Sequence, residues 1–377
     1  MDETDRRFTA AAIRLGASAL GMTWPNPAVG ALVVKSGKVL GRGRTGEGGR
    51  PHGEAVALAM AGDAARGADM FVSLEPCSHH GRTPPCTDAI VAAGIARIVA
   101  TATDPDPRVA GRGFERLRSA GIEVVTGLLA DDARRVQAGH FTRIERERPH
   151  VLLKLAVSAD DAVGRRAEVQ VPVTGAIARR HVQALRSRSD AILVGRGTVE
   201  ADDPQLTCRL PGLGHRSPVR VILDSNGRLG LDRKVFAGTI PTWIFSAEGS
   251  GLPAELPAAG AGAAGEGEPS GDSHLRRFTI PRADTGGLDL RVCLQRLAGE
   301  GITRLLVEGG ARLARSLLEA DLADEVMLFR SPEALGGDIV PALAGMDVAE
   351  IERSPRFRRA GRRAFGPDVM TRYERLR

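Results

Sequence analysis

The sequence predicts a soluble α/β protein of two domains, the first a three-layer α/β/α sandwich. Three observations carry this. At 377 residues the chain exceeds one typical domain. Short apolar runs that read as strands alternate with helical patterns in both halves, as in layered α/β folds. Around residue 146 the charged stretch "RIERERPH" breaks the alternation before a fresh strand, "VLLKLAVS". We therefore expect domains at 1–146 and 147–377.

Each element has its own signal. Residues 5–20 read as an amphipathic helix whose early acids argue against a signal peptide. "VGALVVKSGKVLGRG" holds two apolar runs about Ser36-Gly37, which predicts a hairpin. A helix over "EAVALAMAGDAA", a strand "MFVSL", a loop, and a helix from about 86 to 93 ended by Gly94 come next. "ARIVAT", "GFERLRSAG" and "IEVVTG" add strand, helix and strand. Further on, "DAILVG", "VRVILD", "TWIFS", "ITRLLVEGG" and "DEVMLF" read as strands. Residues 248–275 are rich in Gly, Ala, Pro and Glu without periodicity, which predicts a mobile surface insertion.

Composition narrows the function classes. Hydrophobic content of 42% with mixed charge suits a globular protein, and no apolar run reaches the length of a membrane span. The net charge of +6 invites a nucleic-acid reading. Against it, the cations spread among 46 acids, and aromatics at 3% are too few to stack bases. The densest basic cluster, "RSPRFRRAGRR", reads as a solvated surface, with a phosphate or partner contact as the alternative. Only four cysteines occur, two of them in one motif. That favours metal ligation in a reducing cytoplasm over a disulfide framework.

The motif is "EPCSHHGRTPPC", residues 75–86, with "RPHGEAVALAM" upstream. His52 and Glu54 fall in the first turn of a helix. Cys77 follows a strand and Cys86 opens a helix, so both sulfurs lie near helix N-termini that favour thiolates. Two thiolates and a neutral imidazole cancel the charge of Zn²⁺ and leave a fourth position for water, the catalytic pattern. Glu54 would shuttle a proton to a leaving amine. H-x-E followed by P-C and a second Cys is the signature of zinc deaminases of amino-pyrimidines and purines, here with a lengthened Cys spacing. We read His52, Cys77 and Cys86 as ligands and Glu54 as the catalytic residue. His79 and His80 are not ligands, and His79 lines the pocket. A closed zinc knuckle using His79 or His80 is the competing arrangement.

With "WPNPAVGALVVK" and "TDPDPRVAGRGFERLRSAGIEV", this motif resembles the deaminase domain of the bifunctional riboflavin-biosynthesis deaminase–reductases. The resemblance implies a cytidine-deaminase-like fold acting on a phosphorylated pyrimidine ribonucleotide. It places Asn26 and His79 on the pyrimidine and Arg82 near the phosphate. Asn26, between two prolines, also suits a plain turn. The family usually has Ala where this chain has Gly53, which would loosen the first helical turn.

In the second domain, "LLVEGGARLARSLL" sets Gly309-Gly310 between a strand and a helix. Backbone N–H groups there can approach an anion, although a tight turn explains the pair as well. "ILVGRGTVEADDPQLTCR" adds a second Gly-rich turn with Arg196, an acidic pair and Arg209. These blocks, with "KLAVS" and "RVILDS", resemble the reductase domain of the same family. That implies a dihydrofolate-reductase-like fold, NADPH as cofactor and a homo-oligomer, dimer or tetramer.

By the same resemblance Ala156, Thr198, Asp202, Ser225 and the turn Gly310, Ala311, Arg312, Leu313, Ala314, Arg315 and Ser316 face NADPH. Arg186, Leu206, Arg209 and Glu308 hold the ribosyl-phosphate substrate. Two departures stand out. Asp161 replaces a family turn glycine, which Asp tolerates in left-handed conformations. No Trp precedes Thr174-Gly175, where the chain reads Gln170-Val171-Pro172-Val173. The competing functional readings are an RNA or nucleobase deaminase with a non-catalytic second domain, and a structural zinc scaffold.

Overall fold

The computed structural model describes residues 3–81, 83–166, 171–251, 274–284 and 286–376. The chain divides into two compact units: residues 1–149 with 300–303, and residues 150–299 with 304–377.

The first unit runs α1 (Glu3–Ala17), β1 (Gly30–Lys35), β2 (Lys38–Arg44), α2 (Gly53–Ala61), β3 (Asp69–Val72), α3 (Cys86–Ala92), β4 (Arg97–Ala100), α4 (Arg112–Ser119), β5 (Glu123–Thr126), α5 (Ala130–Val136) and α6 (Ala138–Arg146). Its sheet has the order β2-β1-β3-β4-β5, antiparallel across the first three strands and parallel across the last three. Ser36 (φ 50°) and Gly37 (φ 75°) both take positive φ, as a two-residue hairpin turn demands.

Side-chain alternation builds the three layers. Ala31, Val33, Met70, Val72, Ile98 and Ala100 point to one face, against Ala57, Leu58, Ile90 and Leu117 of α2, α3 and α4. The intervening Leu32, Val34, Phe71 and Val99 point to the other face, against Phe8 and Ala12 of α1. The helix α2 seats very closely on β2. A Cβ added to Gly43 would lie 2.1 Å from the Gly53 carbonyl oxygen, so glycine is required for the approach.

The charged stretch lies at the junction of the two units. Arg143–Arg146 complete α6, whose Phe141 is buried, and His150 opens the next strand.

The second unit runs β6 (His150–Val157), β7 (Ala162–Arg165), α7 (Ala176–Arg186), β8 (Ala191–Gly195), α8 (Arg196–Asp202), β9 (Val219–Leu223), β10 (Thr242–Ser246), β11 (Leu275–Thr279), α9 (Leu290–Gly299), β12 (Arg304–Val307), α10 (Ala311–Glu319), β13 (Glu325–Arg330), β14 (Ile339–Pro341), α11 (Ala349–Arg353), β15 (Phe357–Phe365) and β16 (Asp368–Arg375). The large sheet has the order β11-β10-β9-β8-β12-β6-β13-β16-β15, parallel from β11 to β13 and antiparallel at β16 and β15. Chain order reverses where β12 inserts between β8 and β6. In open parallel sheets that reversal opens a crevice at the C-terminal strand ends, the usual ligand position.

One face of this sheet packs Ile192, Val194, Ile222, Ile244 and Leu306 against Ala178 and Val182 of α7 and Val199 of α8. The arginine cluster lies largely on β15, an edge strand whose residues 358–364 are exposed. Charge on an edge discourages further strand pairing. Of the expected insertion, residues 252–273 lie outside the described residues, while Leu275 is buried at the start of β11. No described helix is long and apolar enough to cross a membrane.

Candidate active sites

In the first unit His52 caps α2, Cys77 follows β3 and Cys86 opens α3. His52 Nδ1 lies 3.3 Å from Cys86 Sγ and 3.6 Å from Cys77 Sγ. All three ligand atoms fall within 4.8 Å of one another, and this is the only such cluster among the described residues. His79 and His80 lie outside it, and His80 is exposed. The Cys86 backbone N–H donates to Cys77 Sγ at 3.3 Å, as a helix N-terminus does for a thiolate.

The hydrogen bond from Cys86 pulls the Cys77 thiol down to about 4, and the same bond pushes Cys86 well up. A pocket that resists two thiolates on its own is one that a divalent cation completes. Glu54 is 3% exposed, and burial above all, with Cys77 adding, pushes its carboxyl up to about 7. Its Oε2 is buried with no hydrogen-bond partner. Such an oxygen awaits a donor, so the residues fit a metal with a proton acceptor beside it.

The sequence reading passed over Glu75, which precedes Pro76 and Cys77. Its buried carboxylate accepts backbone N–H groups from Asp104 (3.1 Å), Gly111 (2.9 Å) and Gly113 (2.9 Å). It thereby ties the metal loop to the "TDPDP" loop and the start of α4. Asn26 is half-buried and donates to the Gly49 carbonyl oxygen at 2.9 Å. His79 Nδ1 is buried without a partner. Arg82 lies outside the described residues.

In the second unit the named residues gather at C-terminal strand ends. Ala156 lies near the end of β6, Thr198 and Asp202 on α8, and Ser225 just past β9. Gly310 caps α10 with φ −67°, so neither glycine is needed for a positive φ. They leave room for close packing: a Cβ on Gly309 would lie 2.5 Å from Leu313 Cδ2, a side-chain end that would have to shift, and one on Gly310 3.3 Å from Thr198 Oγ1, a tight contact. The first-turn amides of Ala311–Leu313 lack intrahelical acceptors, as at any helix start. Ala314 is buried and its N–H bonds the Gly310 carbonyl, while Arg315 binds Glu319 and the Ala344 carbonyl. Burial holds the Asp202 carboxyl above its ordinary range.

Arg186 grips Glu308 with both arms, Nε to Oε1 at 2.8 Å and Nη2 to Oε2 at 3.0 Å, and its Nη1 donates to the Thr207 carbonyl. Burial pushes the Glu308 carboxyl up, but Arg186, with Lys154 and Arg209 beyond, outweighs it and holds the group below the usual range. Lys154 escaped the sequence reading because it sits within an apolar strand. Burial lowers its ammonium against the opposing pull of Glu308. Leu206 is buried at φ 55°, a left-handed conformation unfavourable for a leucine. Arg209 is exposed, and its N–H bonds Gln183 Oε1 at 2.8 Å. Asp161 takes φ 54° and pairs with Arg330 at 2.5 Å, so the missing glycine is replaced by a residue that tolerates the turn and gains a partner.

Comparison with known proteins agrees with both sites. Residues 2–102 match the cytidine and deoxycytidylate deaminase zinc-binding region, and residues 149–371 match the RibD C-terminal domain. The riboflavin biosynthesis protein RibD of Escherichia coli is 37% identical, over 97% of this chain and 98% of its own. That of Bacillus amyloliquefaciens is 38% identical, over 95% and 93%. Among solved structures, Acinetobacter baumannii RibD superposes with a TM-score of 0.84 at 32% identity, covering 100% of this chain and 99% of that one. A deaminase/reductase from Thermotoga maritima gives 0.83 at 32% identity, covering 99% of each. With a zinc-site cluster in one unit and a reductase domain in the other, this chain belongs to the RibD family of bifunctional riboflavin-biosynthesis deaminase–reductases.

Proposed function

We propose that the first unit hydrolyses the amino group of 2,5-diamino-6-ribosylamino-4(3H)-pyrimidinone 5′-phosphate. The second unit then reduces the ribosyl chain to ribityl with NADPH, giving 5-amino-6-ribitylaminouracil 5′-phosphate. The observation that carries this is the buried, unpartnered Glu54 oxygen beside the His52–Cys77–Cys86 cluster. His52, Cys77 and Cys86 would hold zinc, which when bound supplies Lewis acidity and an acidified water. Glu54 takes up a proton and returns it to the departing nitrogen, a role suited to a carboxyl raised toward neutrality. Asn26 and His79 orient the ring, and Arg82 meets the phosphate.

In the second unit NADPH, when bound, supplies hydride to C1′. Gly310 to Leu313 and Thr198 would hold its pyrophosphate, with Ala156, Asp202 and Ser225 also toward the cofactor. Arg186 acts through Glu308, fixing a carboxylate that orients the ribose hydroxyls, and Arg209 meets the phosphate. Lys154 hands a proton to the sugar as its ring opens. Thiolate ligands suit a reducing cytoplasm, where we place the enzyme.

The test is incubation of the full chain with the diamino-pyrimidinone ribotide, with and without NADPH. Ammonia release followed by NADPH oxidation is expected. Ammonia release with no NADPH oxidation overturns the second half, and no ammonia from zinc-loaded protein overturns the first.

A further inference from the structure

Residues 203–209, between α8 and β9, belong to no helix or strand. A stretch outside any ladder must find other partners for its main-chain groups. Here side chains supply them, one residue after another. Leu206, left-handed at φ 55°, sends its side chain into the core. Arg186 Nη1 donates to the Thr207 carbonyl oxygen at 3.0 Å. The Cys208 N–H donates to Ser217 Oγ at 3.0 Å, and the Cys208 thiol to the Gln183 carbonyl oxygen at 3.6 Å. The Arg209 N–H donates to Gln183 Oε1 at 2.8 Å.

Gln183 and Arg186 lie three residues apart on α7, so their side chains stand on one face of the helix. Arg186 also holds Glu308, at 2.8 and 3.0 Å. One helix face thus fixes both the Glu308 carboxylate and the main chain on which Arg209 is mounted. The Arg209 guanidinium is left open. It is exposed and forms no ion pair or hydrogen bond among the described residues, yet its charge is felt at Glu308. A guanidinium fixed at its root and free at its head is preorganised for an anion.

Resting on the reading that Arg209 meets the substrate phosphate, we propose that Gln183 is a positioning residue of the second site. Its side-chain oxygen fixes the Arg209 main chain, and with it the point from which the guanidinium reaches the phosphate. Gln183 acts through Arg209 and not on the reacting atoms. The phosphate takes no part in hydride transfer, so what Gln183 contributes is the same in the ground state and the transition state. It belongs to KM and not to kcat.

The test is steady-state NADPH oxidation by the full chain with the deaminated ribotide, comparing the unaltered protein with Gln183→Leu, Arg209→Ala and the two combined. Leucine matches glutamine in helix preference but offers no acceptor. Gln183→Leu is expected to raise the ribotide KM about 3- to 10-fold, with kcat and the KM for NADPH unchanged. Added to Arg209→Ala it should raise the KM no further. A fully additive penalty, a fall in kcat with a rise in the NADPH KM, or no change at all would each overturn the role. Should Gln183→Leu fail to fold, Ser217→Ala frees the neighbouring Cys208 N–H without touching α7. It should raise the ribotide KM in the same way, and an unchanged KM there would also overturn the role. If Arg209→Ala alone leaves the ribotide KM unchanged, the phosphate reading itself fails, whichever way Gln183→Leu behaves.

Discussion

The two units build their sites by opposite means. In the first, three candidate ligand atoms and a carboxylate come from residues 52 to 86, at the starts of α2 and α3 and in the loop after the central strand β3. The chemistry resides in the side chains themselves. In the second, Lys154, Arg186 and Glu308 come from three separate elements, and the glycines at 309 and 310 matter because they carry nothing. There the protein mainly positions two ligands. The difference teaches that one substitution can silence the first site outright, whereas the second fails by losing its arrangement.

The sharpest way to break this comparison is Glu54→Gln. Ammonia release should fall about 10²- to 10⁴-fold, while zinc analysis still finds one ion per chain and NADPH oxidation with the deaminated substrate is unchanged. A parallel loss of zinc would make Glu54 a structural group instead.

Next in size is Glu308→Ala, which leaves the buried Arg186 and the half-buried Lys154 without their anion. Removing one partner of such a pair costs about 3–5 kcal/mol. Denaturant melting should show the second unit weakened and the first unit's zinc retained.

A smaller effect is expected from Gly53→Ala. Its Cβ would lie 2.8 Å from the Val29 carbonyl oxygen and 3.2 Å from Arg44 Cα. Overpacking of that kind costs about 1–3 kcal/mol, and the shift of α2 should lower deamination while leaving reduction untouched. Unchanged deamination kinetics would show that the helix start has room to move.

The smallest is Asp161→Gly. It removes a half-exposed ion pair with Arg330 and relieves a left-handed φ, so the unfolding free energy should move by less than about 1 kcal/mol. NADPH oxidation should be unaffected; a large loss would assign Asp161 a role in the site.

The same contrast governs what the sequence disclosed. The H-x-E and P-C pairs were legible because metal chemistry admits few residue types, and the Ser36-Gly37 hairpin because its turn demands positive φ. Central strands such as Thr242–Ser246 announced themselves by unbroken burial. Lys154 did not, since one cation in an apolar strand carries no pattern, and its meaning comes only from Glu308, just past the end of β12. Glu75 was hidden for a related reason, as its three partners are backbone amides that no residue type betrays. The β15–β16 hairpin was masked by arginines that overwhelm the alternation of an edge strand, and α6 by the charges of its last turn.

The close seating of α2 on β2 limits what the start of that helix can absorb. A Cβ at Gly43 would lie 2.1 Å from the Gly53 carbonyl oxygen, and one at Gly53 2.8 Å from the Val29 carbonyl oxygen, so main chain opposes added bulk at both positions. Room there could come only from a shift of the helix that carries Glu54. The turn is held in place by what these two positions lack.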